Sequence, residues 1–271
     1  MSLSPHRYSK ITFHLKGVTE YAQQYFKLIQ WKKNSRILDI GSGPGHLLLQ
    51  IEPLFPKDYA EILCIDKLEE MVNYFNSHKS DPRMKAIAMD IQTTSLPSDL
   101  KNRFDFVFSC NSLMYWANIR QSFRNISQLM NESGQLFFIW PKKGDVHDIY
   151  KAMNIKQRWA PHTNEFKNWI NYFDTESPTD TLKTEFERVG IEIVKSETKK
   201  LSFEDQEKSN FTAMFDSLDY ISKRIPKDDL AEYKQEYHEL VHEKLLMERN
   251  SDNKMKWKLP FEYILVVAKK S

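Results

Sequence analysis

Three of this chain's seven glycines fall within five residues, in Gly41-Ser42-Gly43-Pro44-Gly45. An apolar run, Ile37-Leu38-Asp39-Ile40, leads into them, and an amphipathic stretch from His46 to Pro53 follows. Glycine tolerates positive φ and lets a ligand approach the bare backbone. At a strand-to-helix turn, the free amides of the helix start face that ligand as well. The pattern reads as the nucleotide-handling turn of a doubly wound α/β domain.

Spacing narrows the nucleotide. A dinucleotide fingerprint is G-x-G-x-x-G with an acid about 20 residues on. Here the third glycine comes one residue early, Asp39 precedes the first, and Pro44 stiffens the turn. The next apolar run, Ala60 to Ile65, closes on Asp66, 25 residues after Gly41. An acid at that strand end can accept hydrogen bonds from a ribose diol. The E/D-x-G-x-G-x-G pattern followed by this acid resembles the class I S-adenosylmethionine (SAM)-dependent methyltransferases.

Composition bounds the alternatives. The 271 residues are 41% hydrophobic and 13% aromatic, enough for a substantial core in one large domain. A net charge of +2 is too weak to imply a nucleic-acid partner. Cys64 and Cys110, the two cysteines, each lie in an apolar strand pattern, which excludes a disulfide framework or a paired-cysteine zinc site. No ligand cluster for a metal is readable. The first seven residues lack the apolar stretch of a signal peptide, and no run reaches membrane-spanning length. The expectation is a cytoplasmic protein without membrane insertion, so the glycosylation-like triplets at Asn125, Asn131 and Asn210 carry little meaning.

Strands and helices alternate along the first half. Ser4 to Gln30 reads as a helix, and strands are expected at Ile37 to Ile40, Ala60 to Asp66, Met84 to Met89, Phe104 to Cys110 and Gln135 to Trp140. Helices are expected at Glu69 to Ser77 and Ile119 to Met130. This order predicts a parallel sheet with helices on both faces. Beyond Trp140 come helical stretches at Val146 to Trp159, Thr163 to Tyr172 and Asp180 to Val189, then a strand from Ile191. About fifty helical residues and a last strand, Phe261 to Ala268, complete the chain. The expected fold is α/β, a Rossmann-like seven-stranded class I methyltransferase sheet with a helical lid. One domain would span 1–271, with an N-terminal cap helix at 1–33 and a SAM-binding half at 34–141. The acceptor-side half would be 142–271, with a helical insertion at 204–256.

The resemblance implies a cofactor site at the carboxyl edge of the sheet, where open α/β sheets bind ligands. Gly41, Ser42, Gly43 and Gly45 would let the methionine half of SAM lie against backbone amides, with Asp39 shaping the pocket floor. Asp66, with Lys67 beside it, would take the ribose hydroxyls. Asp90 would bond the adenine amino group while Ile91 packs on the ring; the other reading of Asp90 is a turn cap. Ser109, Cys110 and Asn111 end the fourth strand, where sulfonium and methyl would sit. Cys110 reads as a small buried residue rather than a nucleophile.

Along nearly its whole length the chain is similar to the juvenile hormone acid O-methyltransferases. Ile29-Gln30-Trp31-Lys32-Lys33 ends the first helix as in that family, and Asp66-Lys67-Leu68-Glu69-Glu70-Met71-Val72 resembles its D-I-S-x-x-M-V. Ala88-Met89-Asp90-Ile91, Phe123-Arg124-Asn125-Ile126, Glu187-Arg188-Val189-Gly190 and the terminal Val266 to Lys270 follow in order. That family methylates the carboxylate of a farnesoid acid, so the resemblance implies a small lipophilic acceptor. Two acceptor-side positions depart from the pattern. The family's L-H-W is Leu113-Met114-Tyr115 here, followed by Trp116, and His14 stands in place of a glutamine. Tyr115, Trp116 and His14 are therefore the candidate catalytic residues. His14 reads as a base, a carboxylate-orienting donor or a partly exposed helix histidine.

Trp140, Trp159, Trp169, Tyr172, Phe173, Phe211 and Phe215 suggest a deep apolar acceptor chamber, although aromatic spacing on helices mostly means packing. The competing classes leave less trace. A nucleic-acid amino-methyltransferase would carry an N/D-P-P-Y-like tetrad where Cys110-Asn111-Ser112-Leu113 stands, and a basic face that this chain lacks. A nicotinamide dehydrogenase needs the wider glycine spacing. Two other readings stay open: a small-molecule O- or N-methyltransferase with His14 as base, and a SAM-binding protein without turnover.

Overall fold

A computed structural model of the chain describes residues 5–6, 15–142, 145–164, 176–249 and 255–271. They divide between two compact units. In chain order the elements are α1 (Leu15–Tyr25), β1 (Arg36–Ile40), α2 (His46–Ile51), β2 (Glu61–Asp66), α3 (Glu69–His78) and β3 (Met84–Ala88). Then come β4 (Phe104–Cys110), α4 (Ile119–Leu129), β5 (Met130–Pro141), α5 (Asp145–Ile155), α6 (Ala160–Thr163) and α7 (Pro178–Glu187). The last are β6 (Ile191–Asp205), α8 (Lys208–Leu218), α9 (Leu230–Glu243), β7 (Leu246–Arg249) and β8 (Met255–Lys270).

The larger unit takes in 15–142, 176–199 and 262–271. Its central strands are mostly apolar and buried, as strands covered on both faces are. The burial pattern of β4, for example, leaves only Asp105 partly accessible. β1 pairs in parallel with β2 and β4, β2 with β3, and β4 with β5, while β8 runs antiparallel to β5. The sheet order is β3-β2-β1-β4-β5-β8-β6, the seven-strand path expected from the sequence. A short eighth strand, β7, pairs with the opening residues of β8.

Side-chain alternation assigns the two faces. Leu38, Ile40, Leu63, Ile65 and Val107 pack with Ile119, Phe123, Ile126 and Leu129 of α4. That helix starts where the Asn118 side chain accepts the Gln121 amide at 3.1 Å. The opposite face is aromatic: Phe26 lies 5.3 to 5.4 Å, ring centre to ring centre, from Phe55, Phe106 and Phe137. Leu15, Val18, Ala22 and Tyr25 of α1 are buried as well.

Several boundaries differ from the sequence expectation, among them the helix expected at Val146 to Trp159, which ends at Ile155, and the one expected at Asp180 to Val189, which spans Pro178–Glu187. The first helix, expected to reach Gln30, ends at Tyr25 in a single tighter turn, Phe26–Leu28, while its expected start at Ser4 lies outside the described residues. β5 starts at Met130 rather than Gln135, because its pairing with β4 shifts register between Phe104 and Phe106. Gly134 makes that bulge possible: a Cβ there would lie 2.9 Å from the Met130 side chain and 3.1 Å from the Phe104 carbonyl. β8 starts at Met255 rather than Phe261.

The smaller unit takes in 145–164, 200–249 and 255–261. Ile149, Tyr150 and Met153 of α5, Phe211 and Phe215 of α8, and Tyr233, Tyr237 and Val241 of α9 form its buried faces. A buried carboxylate, Asp219, ties the helices together. It accepts from Tyr150 and Tyr233 at 3.2 and 3.1 Å, from Lys234 at 2.8 Å, and from the amides of Ile221 and Ser222 at 3.2 Å. Four of these donors converge on one carboxylate oxygen and Lys234 takes the other, so the acid is structural glue for the unit. No helix among the described residues is long and apolar enough to cross a membrane.

Candidate functional site

The candidate cofactor-binding groups lie in the larger unit, at or just beyond the carboxyl ends of β1 to β4. Gly41, Gly43 and Gly45 adopt φ of +73°, +55° and +84°, a region that side chains make costly. The amides of Gly41 and Ser42 both donate to the Ile65 carbonyl, at 2.8 and 3.2 Å, pinning the turn to the end of β2. Asp66 adds a second tie. One of its carboxylate oxygens accepts the Gly43 amide at 2.9 Å and the other accepts the Leu68 amide at 2.9 Å.

The three glycines are needed for different reasons. A Cβ on Gly45 would stand 2.0 Å from the Phe75 ring, and one on Gly41 would stand 2.3 Å from Cβ of Ser112. Nothing lies within 4 Å of a Cβ built on Gly43. Two glycines therefore serve packing, whereas Gly43 faces open space with its backbone bare. Ser112, which the sequence reading did not single out, joins Ser109 in a hydroxyl pair 2.6 Å apart. Both approach the Ile40 carbonyl, at 2.8 Å (Ser109) and 3.1 Å (Ser112). Two protons serve three contacts, so one hydroxyl donates to Ile40 while the other donates within the pair or shares that carbonyl. Either way the end of β4 is locked onto the end of β1.

Asp39 is 5% exposed on β1, in register with Cys64 of β2 and Phe108 of β4. It lies on the aromatic face, and among the described residues no side chain forms an ion pair with it. Burial pushes its carboxyl well above the usual carboxylate range, and the negative charge of Asp66 pushes the same way. Cys64 and Cys110 are both buried, and burial followed by the field of Asp39 raises their thiols well above the ordinary value. Neither is poised as a nucleophile. Asp66 is also raised by burial, against the opposing effect of the Leu68 and Gly43 amides and of Lys67. Lys67 itself is exposed. Burial lowers His46, at the start of α2, to about 4, so its ring is neutral at physiological pH.

Asp90 follows β3 and is exposed. It caps a turn, accepting the Gln92 amide at 2.9 Å and the Gln92 side chain at 3.2 Å. Ile91 is 4% exposed in the core. A second residue without a sequence-stated role holds this loop. Asn125 of α4, 2% exposed, donates to the carbonyls of Ile91 and Thr93 at 2.6 and 2.8 Å. A polar residue on the apolar face of an amphipathic helix was the available signal.

Asn111 follows β4 in the left-handed region, φ +55°, with its amide donating to Ile139 at 2.9 Å. Its side-chain oxygen is buried without a hydrogen-bond partner among the described residues. Tyr115 closes a short turn, Leu113–Tyr115, and is half-buried. Trp116 is 8% exposed and packs edge-on against Phe123 and Phe138, at 6.4 and 6.0 Å. His14 lies outside the described residues, as do Trp169, Tyr172 and Phe173. Trp140 is core of the larger unit; Trp159, Phe211 and Phe215 are core of the smaller one.

A methyltransferase domain model matches residues 38–138, the stretch that carries every one of these strand ends. That stretch carries a methyltransferase domain, in a fold shared with solved methyltransferases. As an enzyme the chain stands with the SAM-dependent methyltransferases. Juvenile hormone acid O-methyltransferase of Bombyx mori is 28% identical over 92% of this chain and 90% of its own length. The Drosophila melanogaster protein of the same name is 22% identical, over 92% and 85%. Among solved structures, a SAM-dependent methyltransferase from Mesorhizobium loti superposes with a TM-score of 0.51 at 17% identity, covering 94% of this chain and all of that one. The likeness in structure fixes the methyltransferase fold, and the two insect proteins extend the similarity over most of the sequence.

Proposed function

We propose that this methyltransferase transfers a methyl group from SAM to the carboxylate of a small lipophilic acid of farnesoid or fatty type. The observation that carries the acceptor class is the similarity to juvenile hormone acid O-methyltransferase of Bombyx mori over 92% of the chain, well beyond the cofactor-binding half.

The strand ends fit a cation bearing N–H donors and a diol. Asp39, Asp66 and Asp90 stand at the carboxyl ends of three adjacent strands, an acidic edge suited to positive charge. Asn111 keeps a buried acceptor that no donor among the described residues reaches, and Gly43 leaves a bare backbone face. Gly41 to Gly45 would hold the methionine portion, Asp66 the ribose, and Asp90 with Ile91 the adenine, with Lys67 at the rim. Ser109, Cys110 and Asn111 would border the reacting methyl. SAM supplies an electrophilic methyl on a sulfonium.

The rest of the chemistry is positional. A carboxylic acid ionises at a pKa of about 4, so at neutral pH the nucleophile already carries its charge. No general base is required. Holding two reactants in line contributes on the order of 7–11 kcal/mol. Tyr115 and Trp116 follow the end of β4 and are the described residues assigned to the acceptor side; His14, named with them from the sequence, lies outside the described residues. A phenol or alcohol acceptor would instead need its proton removed, and His14 would then act as a base.

The pH dependence of turnover at saturating SAM separates these cases. A carboxylate acceptor gives a rate that is flat from pH 6 to 8. A rate that climbs through the histidine range would replace this reading with base catalysis on a hydroxyl or amine.

A further inference from the structure

The carboxyl of Asp39 has an environment that, among the described residues, no cationic side chain completes. Strand register places it beside Cys64 on one side and Phe108 on the other. The face it shares carries Phe106 and Phe55, whose rings lie 5.9 and 5.7 Å from that of Phe108. The charged and titratable groups coupled to it are few. Asp66, at the end of β2, is a like charge; Cys64 of β2 and Cys110 of β4 are buried thiols that stay protonated. Lys79 acts on Cys64, and His46 of α2 is neutral at physiological pH. A carboxylate 5% exposed among aromatics, with another carboxylate nearby and no cation paired to it among the described residues, is strongly disfavoured. The same position, two residues before Gly41, is where the acidic strand edge meets the bare glycine backbone.

We propose that Asp39 is a neutral carboxylic acid in the ligand-free enzyme and ionises when the cationic cofactor binds, releasing its proton to solvent. The inference rests on the SAM assignment made above. It makes Asp39 a charge-discriminating residue: the site presents its full negative charge only to a ligand that brings a compensating positive one. No carboxylate then has to be buried unpaired in the free enzyme, and affinity for SAM is linked to pH. The sign follows from mass action. Where free Asp39 holds a proton that the complex lacks, raising the pH favours the complex, by up to about tenfold in affinity per pH unit.

The experiment is calorimetric titration of the full chain with SAM between pH 5.5 and 7, where the α-ammonium of SAM stays protonated. Each pH is run in two buffers of different ionisation enthalpy, which counts protons directly. The expected result is a released proton and an affinity that rises with pH in the wild type and in Asp66→Asn, whereas Asp39→Asn binds SAM with no proton release and a flat profile. Isotope-edited infrared spectroscopy of the wild type gives a second readout that needs no Asp39 variant: the protonated-carboxyl band is lost on adding SAM. Binding without proton release and with the carboxyl band unchanged overturns the proposal. So does proton release that survives Asp39→Asn or vanishes only in Asp66→Asn. Failure of the wild type to bind SAM at any pH overturns the cofactor assignment itself.

Discussion

The Gly43 amide donates to the Asp66 carboxylate at 2.9 Å, so the acid that ends β2 also holds the glycine turn that follows β1. Its other oxygen takes the Leu68 amide at 2.9 Å. Each oxygen keeps a second lone pair for a ligand hydroxyl. A residue expected to do one job at a ribose is thus built into the loop as well.

Replacing Asp66 by Ala should therefore cost both binding and stability. Losing charge-assisted bonds to two amides costs about 1–3 kcal/mol, which lowers Tm by a few degrees in a chain of this size. SAM affinity should fall by at least about tenfold. Scanning fluorimetry and calorimetry on the same sample check both; an unchanged dissociation constant would remove Asp66 from the site.

The glycines should separate packing from binding. In Gly43→Ala the new methyl enters open space, and the left-handed φ of +55° costs about 1–2 kcal/mol. Its main effect should be weakened SAM binding. In Gly45→Ala the methyl meets the Phe75 ring at 2.0 Å on top of the same backbone strain, so Tm should drop further. Equal thermal losses in the two variants would contradict this division.

Asn125→Leu should destabilise through its partners. It removes the donors to Ile91 and Thr93 and the acceptor for Gln121, the last at 3.0 Å. Leaving such groups unsatisfied costs about 1–3 kcal/mol. Protection of the Asp90–Thr93 loop amides from hydrogen exchange should fall together with Tm; an unaltered exchange pattern would deny Asn125 its role.

Asp39→Asn should stabilise the ligand-free enzyme, increasingly as the pH rises. With its folded pKa raised by burial and by Asp66, Asp39 binds a proton in the native state that the unfolded chain has lost above about pH 4. Wild-type stability from this group therefore falls with rising pH until the folded pKa is passed. Asparagine removes the effect, so the Tm gap between variant and wild type should widen from pH 5 to pH 8. A constant gap would mean that Asp39 is not protonated in the free protein.

Much of the larger unit was legible because burial on both faces writes itself as short, mostly apolar runs. Ile37 to Ile40, Ala60 to Asp66 and Phe104 to Cys110 could be placed within a residue, and the glycine cluster marked the turn. β7 escaped notice because Leu246, Met247, Glu248 and Arg249 are all exposed and carry no alternation, while Leu245 extends the helical spacing of α9. The start of β5 depends on a bulge opposite Phe104, a relationship between strands rather than along one. Roles that depend on distant neighbours were hidden for the same reason. The Ser109–Ser112 pair on Ile40, the Asp66 bond to Gly43 and the lack of a counter-charge for Asp39 exist only once β1, β2 and β4 lie side by side.

The most direct test of the whole account is transfer of labelled methyl from SAM to farnesoic acid, run beside farnesol and a straight-chain fatty acid. The account predicts label in an acid and none in the alcohol, as a product that mild base hydrolyses to release labelled methanol. A base-stable product from the alcohol, with both acids untouched, would contradict it.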